Sequence, residues 1–139
     1  LETIHEFLDR AGYDNEWVPG SPIISMEFTG RNTSFYVHIR QFEAAELLFI
    51  ATDGYLHLEK ASSTESLVLL LVQLAAVNYE LLFGKLQVNP ESGEILLSAE
   101  LLTHDGLGYE TFVQALEQLM HSADSRYPEL ERAAEGRGL

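Results

Sequence analysis

Five histidines and 22 carboxylates, with no cysteine, are the side chains with which this chain of 139 residues could hold a metal or move a proton. The missing thiols exclude disulfides, thiolate zinc sites and a cysteine nucleophile together. No two histidines stand four residues apart, the spacing that sets two metal ligands on one helix face. His38 and His57 could meet across neighbouring strands, and solvated strand histidines account for them as well. The stretch "NPESGE" is rich in oxygens but lacks the ligand order of a calcium loop, and a hairpin turn built on Pro90 and Gly93 explains it. The chain contains no G-x-S-x-G elbow, no P-loop and no G-x-G-x-x-G turn. With so many carboxylates, chance acidic pairs are certain. The reading is therefore a protein that is not an enzyme, with no catalytic residue, no metal ligand and no cofactor.

The formal net charge of -14, with eight basic residues and no basic cluster, would repel a phosphate backbone. Nucleic acid and anionic membranes are thus excluded as expected partners. The most apolar run, "LVLLLVQLAAV" at 67–77, falls well short of the roughly 20 residues that span a bilayer and reads as a buried helix. Nothing resembles a signal peptide, and the absence of cysteine fits a reducing compartment, so a cytoplasmic location is expected. An apolar content of 46% supplies a core for one domain over 1–139.

The elements that must position these groups follow from periodicity. Ile4, Phe7, Leu8 and Ala11 recur at helical spacing, with Gly12 as a stop. "GYDNEWVPGSP" reads as an ordered loop that brings Trp17 to the core. From Ile23 to Glu59 the period becomes two: Ile24, Met26 and Phe28 alternate with polar residues, as do Phe35, Val37 and Ile39. "ELLFIAT" is apolar on both parities, as in a strand covered on both faces, and Asp53-Gly54 turns the chain into "YLHLE".

Ser62 followed by Glu65 suggests a capping box for a helix that runs to about Phe83 and stops at Gly84, a structural glycine. Projection at 100° per residue sets Ser66, Gln73 and Glu80 on one polar stripe, opposite Leu67, Val68, Leu71, Ala75 and Leu82. Leu70, Leu74 and Leu81 flank the stripe, which makes the apolar arc wider than one sheet contact requires. Isologous pairing hides such a surplus, so a homodimer is expected, with Leu70, Leu74 and Leu81 in its interface. Asn78 falls within the apolar arc. A buried amide must be paired, and the strand that starts at Lys85 offers backbone groups, so Asn78 is expected to clamp that strand.

A hairpin follows, with Leu86 and Val88 on one strand and Ile95, Leu97, Ala99 and Leu101 on the other pointing inward. Asp105 offers a cap for a last helix, Pro128 ends or kinks it, and residues 131–139 read as a flexible tail. The outward strand face would gather Tyr36, His38, Arg40, Tyr55, His57, Lys85 and Gln87. Such a surface is either an ordinary wet sheet face or a platform for an extended partner chain, for which Tyr36, His38, Arg40, Tyr55 and His57 are the candidate contacts.

The order is α-β-β-β-α-β-β-α, an α+β class with an antiparallel sheet packed against helices. On Asn78 with "FGKLQVNPESGEILLSAEL", on "ETFVQALEQLMHSAD" and on the close "RYPEL", the chain resembles the YbjN-like proteins, most clearly over 78–130. Asn89 stands where that family's commoner pattern has an acidic residue. These are bacterial proteins that share the fold of type III secretion chaperones. The resemblance implies a small acidic dimer; the chaperone branch binds an extended stretch of a client protein, and the YbjN-like branch is described as regulatory. A non-enzymatic protein-binding module is thus the leading expectation, and a small-molecule or signal-responsive regulator the alternative.

Overall fold

The computed structural model describes residues 1–137. The chain runs α1 (Glu2–Ala11), β1 (Ile23–Thr29), β2 (Ser34–Phe42), β3 (Leu47–Asp53), β4 (Leu56–His57), α2 (Thr64–Glu80), β5 (Lys85–Val88), β6 (Glu94–Leu102) and α3 (Tyr109–Ala134). This is the expected α+β order with one short addition, β4, where the chain resumes pairing after the Asp53-Gly54 turn.

All six strands join one antiparallel sheet in which β1, β2, β3 and β6 are successive neighbours and β4 and β5 also pair with β6. Ser98 of β6 is paired with both Ala51 and Lys85, and Ile95 with both Leu56 and Val88. A residue has one neighbour on each side, so β3 and β4 share one edge of β6 and β5 takes the other. Where β3 peels away, the Thr52 hydroxyl accepts the Leu97 N–H at 3.0 Å and replaces the lost backbone partner.

One face of the sheet is apolar. Ile24, Met26, Phe35, Val37, Ile39, Leu48, Ile50, Ile95, Leu97 and Ala99 form a single core with Phe112, Leu116, Leu119, Met120 and Ala123 of α3, Ile4 and Leu8 of α1, and Leu70, Leu74 and Val77 of α2. The helices cover this face only. The other face carries Tyr36, Arg40 and Lys85 exposed and Phe49 half-buried, so β3 is covered on one side and not on both.

Trp17 packs half-buried against the core, its indole N–H donating to the Ser21 carbonyl at 3.1 Å. Gly12 closes α1 at φ 86. At the β1–β2 turn, the Asp124 carboxylate of α3 accepts the backbone N–H groups of Arg31, Asn32 and Thr33 at 2.9 to 3.1 Å. A Cβ on Gly30 would lie 2.2 Å from that carboxylate, so only glycine allows the turn to close on α3.

Several boundaries differ from expectation. The capping box of α2 is Ser63 with Ser66, one residue later than Ser62, and α2 ends at Glu80 and not near Phe83. Gly84 lies beyond the helix at φ +83, against Ser98 and Leu119, and serves the entry into β5. The last helix is preceded by Gly108, not Asp105, and it passes through Pro128 to Ala134. Burial holds this last turn: beside Leu130, Ala133 and Ala134 are in the core where the sequence suggests a tail over 131–139. Of the expected tail, residues 138–139 lie outside the described residues.

Candidate functional site

The faces of α2 are the reverse of the helical-wheel reading. Ser66 and Gln73 are buried with Leu70, Leu74 and Val77, while Val68, Leu71, Val72, Tyr79 and Leu82 are exposed. The buried polar groups are satisfied: Ser66 closes the capping box, and Gln73 donates to Glu129 of α3 at 2.7 Å. Glu129 in turn holds Arg126, which also donates to Glu80 at 3.0 Å. This polar seam turns α2 towards α3 and leaves the branched side chains outside. Leu70 and Leu74, at 0% and 5% exposure, are therefore consumed by the protomer's own core and unavailable to a partner; Leu81 is half-buried against it. The outer face ends in Tyr79, at 92% exposure, and Leu82 just past the helix is fully exposed.

Asn78 lies on the exposed side of α2, contrary to the expected burial. Its amide still reaches the sheet: the Leu86 N–H donates to Oδ1 at 2.7 Å, and Nδ2 donates to the Leu86 carbonyl at 3.1 Å. The side chain thereby occupies the backbone groups that a further strand would use at the edge of β5.

On the open sheet face, cross-strand registers set Tyr36 opposite Asp53, His38 opposite Ala51, and Arg40 opposite Phe49. His38, Arg40, Phe49, Ala51 and Asp53, with Glu94 and Leu96 of β6, border a groove of about 580 Å³, and Tyr36 lies outside it. Tyr36, His38 and Arg40 thus share a face, as the alternation of β2 requires. Tyr55 does not join them. After Gly54, at φ +70, the chain turns, and Tyr55 enters the core at 3% exposure with its hydroxyl donating to the Ala123 carbonyl at 2.6 Å. Burial pushes that phenol well above the usual tyrosine range. His57 lies at the far end of the sheet, opposite Glu94, with its ring against Gly93.

The groove has an acidic end and an apolar end. Asp53 and Glu94 both border the acidic end: partial burial and the neighbouring Asp53 carboxylate raise the Glu94 carboxyl above its ordinary range, and the Gly54 N–H, 3.3 Å away, pulls it back. His38 stands 3.6 Å from Asp53. At the other end the Phe42 and Phe49 rings meet edge-on at 6.3 Å, and the Arg40 guanidinium lies 4.9 Å over Phe42. Neither Asp53 nor Glu94 stands out in the sequence, where one reads as a turn residue and the other as part of a hairpin loop. Parity alone would have set both on the outward face.

Among the described residues no three His, Asp or Glu side chains form a metal-binding group. His5, His57 and His104 each stand within 4 Å of a surface carboxylate, the ordinary pairing of solvated histidines. No helix among the described residues is long and apolar enough to cross a membrane.

Comparison with known proteins agrees with this architecture. No curated protein sequence matches the chain. Among solved structures, it is similar to YbjN of E. coli, with a TM-score of 0.71 at 15% identity over 97% of this chain and 92% of that one. It is also similar to a chain of the ExsC–ExsE complex, with a TM-score of 0.65 at 19% identity over 88% of this chain and 86% of that one. A chain of the HopA1–SchA chaperone–effector complex follows, with a TM-score of 0.58 at 14% identity over 88% of each. At these identities the likeness is one of fold, and the fold is that of the type III secretion chaperones. Residues 1–132 match the family model described as "Putative bacterial sensory transduction regulator", so the chain belongs to the YbjN family.

Proposed function

We propose that this protein is a non-enzymatic regulatory module that binds a segment of a client protein and works as a cytoplasmic homodimer. The observation that carries the reading is the sheet covered by helices on one face only, with Tyr36, His38, Arg40 and Phe49 on the other. A bare sheet face with aromatic side chains offers contact area and polar ends together. The same fold occurs in chains of two protein–protein complexes, which supports a protein as the partner. The dimer rests on the outer face of α2, where Val68, Leu71, Val72 and Tyr79, with Leu82 just past the helix end, form an apolar stripe without a cover among the described residues of the protomer. The test is affinity purification from the source cell, followed by reconstitution of the recurring partner with wild-type protein and with Arg40→Glu and Tyr36→Ser. A partner that binds the wild type and is lost on these substitutions supports the reading; a partner that is indifferent to them overturns the placement on this face.

A second reading, a regulator that answers a small molecule, is favoured by a groove of about 560 Å³ at the end of β4, bordered by Tyr55, His57, Lys60, Glu94 and Tyr127. Mass spectrometry of gently purified protein would reveal a stoichiometric small ligand in that case, and its absence together with a bound client would reject this reading.

A further inference from the structure

Asp53 and Glu94 are two carboxylates at one end of the groove, with the Gly54 N–H next to Asp53 donating to Glu94 at 3.3 Å, and within the chain no lysine or arginine among the described residues reaches either of them. Lys60, Lys85 and Arg126 are engaged elsewhere, with Glu131, with Glu100, and with Glu80 and Glu129 respectively. The groove's own cation, Arg40, lies on the Phe42 ring at the opposite end. The groups that face the pair are His38 across β2, His57 opposite Glu94, and the Gly54 N–H. Adjacent carboxylates repel, and the repulsion is relieved by a shared proton or by a cation supplied from outside. Four residues before Asp53 on the same face of β3, Phe49 offers a half-buried ring, with Arg40 opposite it on β2 and Glu100 opposite it on β6. At about 3.3 Å per residue, the acidic pair and the ring are roughly 13 Å apart.

We infer that this face takes an extended polypeptide segment carrying a lysine or arginine four residues from an aromatic or aliphatic residue, with the cation seated at Asp53 and Glu94 and the apolar side chain on Phe49. An extended chain repeats its facing side chains every second residue, so positions i and i+4 match the separation of the two ends of the groove. The -14 net charge draws such a segment in, and the acidic pair fixes its direction along the groove. This inference rests on the protein-binding reading above and adds the chemistry of the partner.

The probe is a labelled peptide, Lys-Thr-Val-Thr-Phe-Thr-Leu, compared with the same peptide carrying Glu for Lys and with one in which Lys is next to Phe. Binding is followed by backbone amide shifts of the full chain and by fluorescence anisotropy, with acetyl-lysine amide as competitor. The expected result is shifts confined to β2, β3 and β6, and at least about tenfold weaker binding of both altered peptides, equivalent to about 1.4 kcal/mol. The preference should vanish in Asp53→Asn/Glu94→Gln, with its melting curve showing that the variant is folded. A preference that survives this variant, shifts that fall on the outer face of α2, or equal affinity for acetyl-lysine amide would overturn the inference. A cellular client that binds as tightly to the double variant as to the wild type refutes this site and leaves the protein-binding reading standing. The lack of any bound protein segment removes both.

Discussion

Replacing Asn78 with leucine removes both hydrogen bonds that tie the end of α2 to the edge of the sheet, the 2.7 Å bond from the Leu86 N–H and the 3.1 Å bond to its carbonyl. A neutral hydrogen bond contributes roughly 1 kcal/mol net, and Leu86 cannot find another protein partner at the edge of β5. Two effects reduce the loss. Asn78 is exposed, so water replaces part of what is removed. Leucine is also the better helix former, by about 0.5 kcal/mol. The net destabilisation should therefore be about 1 kcal/mol, or about 3 °C in the melting midpoint for a domain of this size. Urea denaturation followed by far-UV circular dichroism and by Trp17, the single tryptophan, measures it. Hydrogen exchange supplies a local check: the Leu86 amide should exchange about tenfold faster in the variant, as befits a loss near 1.4 kcal/mol at that site. A stability within about 0.3 kcal/mol of wild type together with an unchanged Leu86 exchange rate would refute the clamp.

Three further outcomes follow from the same geometry. Asp124→Ala removes the acceptor of three backbone N–H groups at the β1–β2 turn and should cost about 1–3 kcal/mol, read by denaturation, whereas Asp124→Asn should cost less. Leu71→Asp on the outer face of α2 should convert a dimer to a monomer in light scattering at micromolar concentration, with an unchanged circular dichroism spectrum; a wild-type protein that is already monomeric at tens of micromolar would count against the dimer. Because the Glu94 carboxyl is raised in the folded chain, the native state holds its proton where the unfolded chain has released it, so stability declines as pH rises from the unfolded glutamate value, about 4.3, through the raised folded value. Glu94→Gln should flatten that decline in a series of urea melts, and an identical pH profile in the variant would contradict the raised carboxyl.

Much of the fold is written in local periodicity. The two-residue alternation of β1, β2, β5 and β6 requires one apolar face, and the observed inward residues follow it from Ile24 to Ala99. The glycine after α1 and the Asn89-to-Gly93 turn are read from residue type, because a left-handed backbone selects glycine and an Asn side chain accepts the N–H groups of Glu91 and Ser92. In such places the determining interactions lie within a few residues of each other.

The orientation of α2 was not legible in this way. It is apolar nearly all round, so its period leaves the buried face undetermined, and the choice is made by the seam that joins Gln73 to Glu129, a residue 56 positions away. The same holds for the end of α3, where burial of Leu130, Ala133 and Ala134 outweighs the proline at 128 that a sequence reading takes as a terminator. At the candidate site, alternation sufficed for Tyr36, His38 and Arg40, which lie within one strand. Tyr55 was lost to the core because the turn at Gly54 resets the parity of the strand. The amino-acid sequence by itself determined which segments are helix and strand and which strand residues share a face, since these depend on neighbours along the chain. Which side of α2 is left bare, and that Asp53 and Glu94, 41 residues apart, border one groove on the open face, were decided only by tertiary packing, because both depend on how the elements dock and not on any local repeat.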